Sequence, residues 1–396
     1  MSDLGVRMKS FSHNTPALRI EQGADCFRLL ASEIDRVASR RVVVLCGATL
    51  GRPDSPLARV TEALGARCVG VYSGVRVDSP LSAVEDAVAE VRRLQADAIV
   101  AVGGGSAITT ARAVAILLAE KARVQDLCTH RQGDGKLISP KLLEPKMPVF
   151  NVPTTPTTAA VKAGSAVLDP VEGRRLALFD PKARARAVFV HPELIASSPR
   201  RVFVGAGLNT LTLVVECLMS PRGDPIADAL LLHALRMSRS LLPSAASGDD
   251  PQVRADLVIA SILCGQGSDY TGAGMTIPIG HALSTRFHVG MGMADAVVLP
   301  HVLRFNAEAS PAGIDKLAFA LGVHAVTFEA RVDAVVDALN ALFADLGVPS
   351  RLRDTGIPKE SLADIAAICF DDWFLQSNPR PIKHVDEVQQ VLEQAW

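Results

Sequence analysis

The stretch AIVAVGGGSAITTARAVAILLA, Ala98 to Ala119, decides the fold. Its opening run of β-branched residues and alanines has no polar interruption, which suits a strand covered on both faces of a parallel sheet. Three glycines and a serine follow, and a helical pattern begins at once. Glycine lets a backbone approach a ligand closely, and the free N–H groups at a helix start attract anions. Gly104, Gly105 and Ser106 can therefore cradle a pyrophosphate; the same residues also make a tight strand-to-helix turn that holds nothing.

Working outward, RVVVLC (Arg41 to Cys46) and RCVGVY (Arg67 to Tyr72) read as two further buried strands. MPVFNVPTT (Met147 to Thr155) reads as a fourth, running into a turn. PLSAVEDAVAEVRRLQAD places Leu81, Val84, Val88 and Val91 at helical spacing. Strand, helix, strand, glycine turn and helix in this order predict a right-handed parallel α/β unit. Thr154, Thr155, Thr157 and Thr158 put four hydroxyls at the carboxyl edge of the fourth strand, where open α/β sheets bind ligands. Threonines beside two prolines are also ordinary turn formers.

Beyond about residue 200 the pattern becomes Ala/Leu-rich and helical, as in NTLTLVVECLM, PIADALLLHALRMSRSLL, PQVRADLVIASILCGQG and IDKLAFALGV. Prolines and glycines in HPELIASSPRRVFVGAG (His191 to Gly207) interrupt the pattern, so the chain divides into an α/β domain, residues 1–198, and a helical domain, residues 199–396.

Composition narrows the function classes. Lys+Arg 41 against Asp+Glu 42 gives a net charge of −1, which provides no basic surface for nucleic acid. The amino-terminal MSDLGVRMKSFSHNTPALRI lacks an apolar leader core, and no uninterrupted apolar run reaches the roughly 18 residues of a membrane helix. Seven scattered cysteines without a CxxC pair fit reduced thiols. Together these predict a cytoplasmic protein with no nucleic-acid or membrane partner.

A second stretch bears on chemistry. IGHALSTRFHVGMGMADAVVLPHVLRFN, Ile279 to Asn306, sets His281, His288 and His301 among glycines and methionines, in the manner of a metal site. GGGS after a strand, PTT some fifty residues later, HPEL, LNTLTLVVECLMS, AVVLPHVLRFN and SNPRPIKHVDEVQQVLEQAW occur in the order found in the iron-containing alcohol dehydrogenase family. The chain resembles that family over nearly its whole length. GARCVGVYSGVRVDSPL and the asparagine of LNTL are most similar to its maleylacetate reductase branch. The resemblance implies a dehydroquinate synthase-like architecture: an α/β dinucleotide-binding domain with a parallel sheet, an all-α second domain, and a cleft between them. It also implies a homodimer and hydride transfer with NAD or NADP. The cofactor contacts it implies are Gly104, Gly105, Ser106, Thr154, Thr155 and Thr158.

The same resemblance places the family's four metal ligands, one aspartate and three histidines, at Asn209, Leu213, Ile277 and Met291. Two of these side chains have no donor atom, and the others offer a neutral amide and a soft thioether, a poor set for a hard or borderline dication. The expectation is no metal. Activation must then come from elsewhere. His281 stands where the family has a non-ligating active-site histidine, a residue type suited to general acid work at neutral pH. His288, Asn209 and Lys162 are the other candidate catalytic residues, Lys162 or Arg286 being able to hold an oxyanion or a substrate carboxylate. Thr109 and Arg112 stand where the family carries an aspartate and a lysine, and PTTAAVKAG departs from its usual turn.

The expected function is a metal-independent NAD(P)H-dependent reductase of a small carboxylated, unsaturated carbonyl or imine-like substrate. The alternative is a non-redox enzyme of lyase or hydrolase type, or a nucleotide-binding protein, on the same fold.

Overall fold

The computed structural model describes residues 10–132, 137–171, 173–370 and 372–396. The expected lack of a leader therefore rests partly on residues 1–9, which lie outside the described residues. Ten strands occur among the described residues, all before residue 191: β1 (Arg19–Gln22), β2 (Val42–Gly47), β3 (Cys68–Val75), β4 (Ala98–Gly103), β5 (His130–Arg131), β6 (Leu137–Ile138), β7 (Val149–Pro153), β8 (Gly164–Asp169), β9 (Arg174–Phe179) and β10 (Ala187–Val190). Six form one parallel sheet in the order β1-β10-β7-β4-β2-β3. β8 and β9 form an antiparallel hairpin, and β5 pairs with β6.

The four strands read as buried runs are present, but β3 is not buried: it is the outer edge of the sheet, and its residues are half-buried or exposed. Three further features were not legible. β1, with the sequence RIEQ, is a charged and largely exposed sheet edge, so it shows no apolar run. β8 alternates buried and half-buried residues because one face alone meets the core. β10 contributes only four residues, AVFV.

Strand order locates the ligand edge. From β2 the chain passes to β3 on one side of it, and β4 returns to the other side. Adjacent strands whose connections depart in opposite directions leave a crevice at their carboxyl ends, the topological switch point where ligands of open α/β sheets bind. The Ala98–Ala119 stretch supplies one wall of that crevice, as β4 and the helix Gly105–Glu120.

The rest of the chain is helical. Its main helices are Arg200–Met219, Pro225–Ser247, Pro251–Thr271, Thr276–Phe287, Met291–Asn306, Pro311–Leu321, Phe328–Asp345, Leu362–Phe370 and Val385–Ala395. Asp224 caps the Pro225–Ser247 helix, accepting from Ile226 N at 2.8 Å and Ala227 N at 2.9 Å, and Asp250 caps the next from Gln252 N at 2.8 Å. Proline follows each of these aspartates, where its missing N–H costs nothing.

The helix Arg200–Met219 corrects two readings. By length and composition it can cross a membrane, although its sequence has no uninterrupted apolar run; in the fold it is a mostly buried core helix. Gly205 and Gly207 also do not end it. A Cβ at Gly207 would stand 2.5 Å from Leu242 Cδ1, so this glycine is there for close helix packing.

Candidate active site

At the switch point, β4 ends in Gly103 with φ +148°, and the helix from Gly105 starts without a side-chain cap. Its first N–H groups are thus open to an anion. β7 delivers Thr154 and Thr155 alongside. A Cβ at Gly104 would lie 3.0 Å from Thr155 Oγ1, and one at Gly105 would lie 3.1 Å from Thr157 Oγ1. The glycine turn and the threonine turn are therefore packed on each other, and larger residues would wedge them apart. Ser106 is differently engaged: its Oγ accepts from Asp78 N at 3.2 Å, and its carbonyl accepts from Ser79 Oγ at 3.0 Å.

Arg112 explains how the threonine turn is held. Fully buried on the glycine-turn helix, it donates to the carbonyls of Ala159 and Gly164. Burial, with the nearby Arg184 next, pushes its pKa down. Guanidinium is nevertheless the last side chain to lose its charge, and two carbonyl acceptors satisfy it here. Thr158, the remaining candidate contact, is half-buried at the start of the Thr158–Ala160 turn that Arg112 fastens.

This turn also meets the helical half. Thr157 N donates to Ser261 Oγ at 2.8 Å, and a Cβ at Gly265 would lie 3.0 Å from Thr158 O. Lys162 belongs to the same seam. Its ammonium donates to Ser268 Oγ at 2.6 Å and pairs with Asp269 Oδ1 at 3.0 Å, while Arg184 takes the other oxygen of Asp269 at 2.7 Å. The structure thus engages Lys162 in tying the two halves together.

The helix Thr276–Phe287 carries His281, and its start is fixed by two buried groups. Glu216 accepts from Gly274 N at 3.1 Å and Thr276 N at 2.7 Å; burial pushes its pKa up, and these backbone bonds oppose the shift. Asn378 Oδ1 accepts from Met275 N at 3.1 Å, and Asn378 exchanges side-chain hydrogen bonds with Asn306 at 2.9 and 2.8 Å.

Held in this way, His281 shares a 2.9 Å hydrogen bond through Nδ1 with Asp372 Oδ2. The other oxygen of Asp372 accepts from Phe374 N at 2.9 Å, so the carboxylate cannot rotate freely. A carboxylate only accepts, which puts the proton on Nδ1 and leaves Nε2 for exchange with a ligand. Trp373 and Phe374 flank the imidazole at centroid distances of 6.2 and 5.9 Å, giving it an aromatic wall.

Of the other candidates, Asn209 is half-buried on the Arg200–Met219 helix, its Nδ2 donating to Asp295 Oδ2 at 2.7 Å. His288 is exposed and ends its helix in the left-handed conformation, two turns from His281. Arg286 is exposed and lies 3.6 Å from Asp364. His301 is partly buried, and burial pushes its pKa down.

The metal positions of the family can be tested on their chemistry. Leu213 and Ile277 are buried hydrocarbons, Asn209 gives its amide to Asp295, and Met291 brings a thioether. Among the described residues no three His, Cys, Asp or Glu side chains cluster at ligand spacing. This donor set does not fit a hard or borderline dication.

Asp372, Asp295, Glu216 and Arg112 escaped the sequence reading as site residues. Asp372 had a usable signal in its place in DDWFLQSNPR just before a quoted motif, and Arg112 in standing where the family carries a lysine. The others are single polar residues in apolar helices, and their role shows only when the partner helix is in place.

Comparison with known proteins agrees with this architecture. Residues 16–192 match the family described as iron-containing alcohol dehydrogenase, and residues 203–396 match the Fe-containing alcohol dehydrogenase family, C-terminal. The lactaldehyde reductase of Escherichia coli (strain K12) is 26% identical over 372 residues, covering 93% of this chain and 95% of that protein. The maleylacetate reductase of Burkholderia cepacia is 27% identical over 390 residues, 98% of each chain. The structure of sulfoacetaldehyde reductase from Bifidobacterium kashiwanohense in complex with NAD+ superposes with a TM-score of 0.85 at 20% identity, covering 98% of this chain and 99% of that one. With both halves matched in order and the parallel sheet and helical half in place, the chain belongs to the iron-containing alcohol dehydrogenase family.

Proposed function

We propose that this protein is a metal-independent NAD(P)H-dependent reductase of a small carboxylated substrate whose reducible group is an unsaturated carbonyl or an imine. The observation that carries it is the His281–Asp372 pair at 2.9 Å, an oriented proton donor in a site whose family ligand positions hold an amide, two hydrocarbons and a thioether. The similarity to a lactaldehyde reductase, a maleylacetate reductase and a sulfoacetaldehyde reductase in complex with NAD+ supports the same reading.

A bound reduced nicotinamide supplies the hydride. Gly104, Gly105, Thr154, Thr155 and Thr158 would hold its phosphates at the open start of the Gly105–Glu120 helix. Asp372 keeps His281 in one tautomer and stabilises the imidazolium. His281 Nε2 would give a proton to a carbonyl oxygen or to the nitrogen of a neutral imine, which takes up negative charge on reduction, and would be reprotonated from solvent; an imine that is already protonated needs no proton from it. Asn209 hydrogen-bonds the substrate. Conjugation or a positively charged imine lowers the demand for a Lewis acid, which in a metal enzyme offsets several kcal/mol of developing charge.

Turnover of NADH or NADPH against a panel of enones, keto acids and imines should survive exhaustive chelation. Strict dependence on added Fe²⁺ or Zn²⁺ would remove the reading, and product formation with unchanged nicotinamide absorbance would move the protein to a non-redox class.

A further inference from the structure

Asp295 lies in the Met291–Asn306 helix with 0% exposure, and the reaction above makes no use of it. Its Oδ2 accepts from Asn209 Nδ2 at 2.7 Å, and its Oδ1 has no hydrogen-bond partner. The groups that face it are few. From the Arg200–Met219 helix come neutral Asn209 and the carboxyl of Glu216; from the Thr276–Phe287 helix comes Gly280, which has no side chain. A Cβ at Gly280 would stand 1.8 Å from Asp295 Oδ1, so the carboxyl fills the space a side chain would take. No lysine, arginine or histidine pairs with it among the described residues.

An ionised carboxylate buried without a cation is among the costliest groups a fold can hold, and proteins avoid it by neutralising the group. We propose that Asp295 is an uncharged carboxylic acid in the folded protein and is the positioning residue for Asn209, its carbonyl oxygen fixing one N–H of that amide. The proton sits on Oδ1, since Oδ2 accepts. The second N–H and the Oδ1 of Asn209 are left for the substrate. Burial pushes the acid's pKa well above the ordinary carboxylate range; the Asn209 hydrogen bond opposes this, and Glu216 adds to it.

The role rests on the reductase reading, which gives it a purpose. A fixed negative charge beside Asn209 would repel an anionic substrate and the oxyanion formed from it, whereas a neutral acid holds the amide without that field.

The sign of the pH effect follows from linkage. The folded pKa is raised, so the stability from this group is complete below the unfolded value and is lost as pH rises through the folded one. Asp295→Asn removes this dependence.

Three measurements test the proposal without needing a substrate. The infrared difference between wild type and Asp295→Asn at neutral pH should contain a carboxylic-acid carbonyl band; loss of carboxylate bands instead overturns the neutral acid. Unfolding midpoints from pH 5 to 8 should show the variant gaining on wild type as pH rises, and parallel curves overturn it equally. The side-chain amide resonance of Asn209 should lose its protection from solvent exchange in Asp295→Ala and regain it in Asp295→Asn; an unchanged resonance in Asp295→Ala ends the positioning role. Failure to find turnover with any substrate would count against the reductase reading alone.

Discussion

Replacing His281 by alanine should lower kcat by about 10²- to 10⁴-fold, the range that a positioned general acid contributes. The thermal midpoint should hardly move, because His281 is partly accessible and Asp372 keeps its bond to Phe374 N when the imidazole is gone. Asp372→Asn should fall between wild type and His281→Ala. It preserves shape, yet an amide cannot hold the Nδ1 proton as a carboxylate does, so part of the imidazole population takes the wrong tautomer. Steady-state assays of the three proteins on the best substrate, with thermal melts as the folding control, decide the matter. Equal turnover in His281→Ala would clear that residue of proton transfer and would leave substrate conjugation as the source of activation.

Replacing Gly292 by alanine should produce the largest loss of stability of any single methyl group added to the cleft. Its Cβ would stand 2.0 Å from the carbonyl oxygen of Gly205 and 2.6 Å from the backbone nitrogen of Asn209. Both obstacles are backbone, so relief requires the Arg200–Met219 and Met291–Asn306 helices to separate. Overpacking of this kind costs about 3 kcal/mol or more. Asn209 lies in the contact itself, and its side chain would shift with it. Gly205→Ala is the control, because a Cβ there meets nothing within 4 Å and alanine is the better helix former by up to about 1 kcal/mol. Differential scanning calorimetry of the two variants should show a drop for Gly292→Ala and no drop for Gly205→Ala. Similar midpoints for both would mean that the two helices cross with room for a methyl group.

The two halves of the molecule were unequally legible. β2 and β4 are covered on both faces, so their sequences are continuous apolar runs that announce themselves. β1 is an exposed edge and the β8–β9 hairpin meets the core on one face, so neither has that signature. In the helical half the glycines of VFVGAG read as punctuation, yet Gly207 works as a spacer, and Gly292 is another. Gly207 and Gly292 lie inside helices because another helix is too close for a side chain. A residue's local meaning there depends on a neighbour far away in the chain.

The candidate site divides in the same way. The glycine and threonine turns sit at strand ends, and a strand's end is written in local sequence. Lys162 shows the limit: nothing around it in PTTAAVKAG reveals Ser268 and Asp269, which take its charge.

By itself the sequence determined the strand-turn-helix unit at Ala98 to Ala119, the change to helices beyond the sheet, and the donor-poor side chains at Asn209, Leu213, Ile277 and Met291. These are properties of residue type and short-range spacing. Only the tertiary structure decided that Asp372 faces His281 across 91 positions and that Asp295 meets Asn209 across 86, each time with one carboxyl oxygen. Whether a carboxyl is a solvated charge, an orienting base or a buried acid depends on what desolvates it and what donates to it, and folding brings those groups together from distant parts of the chain.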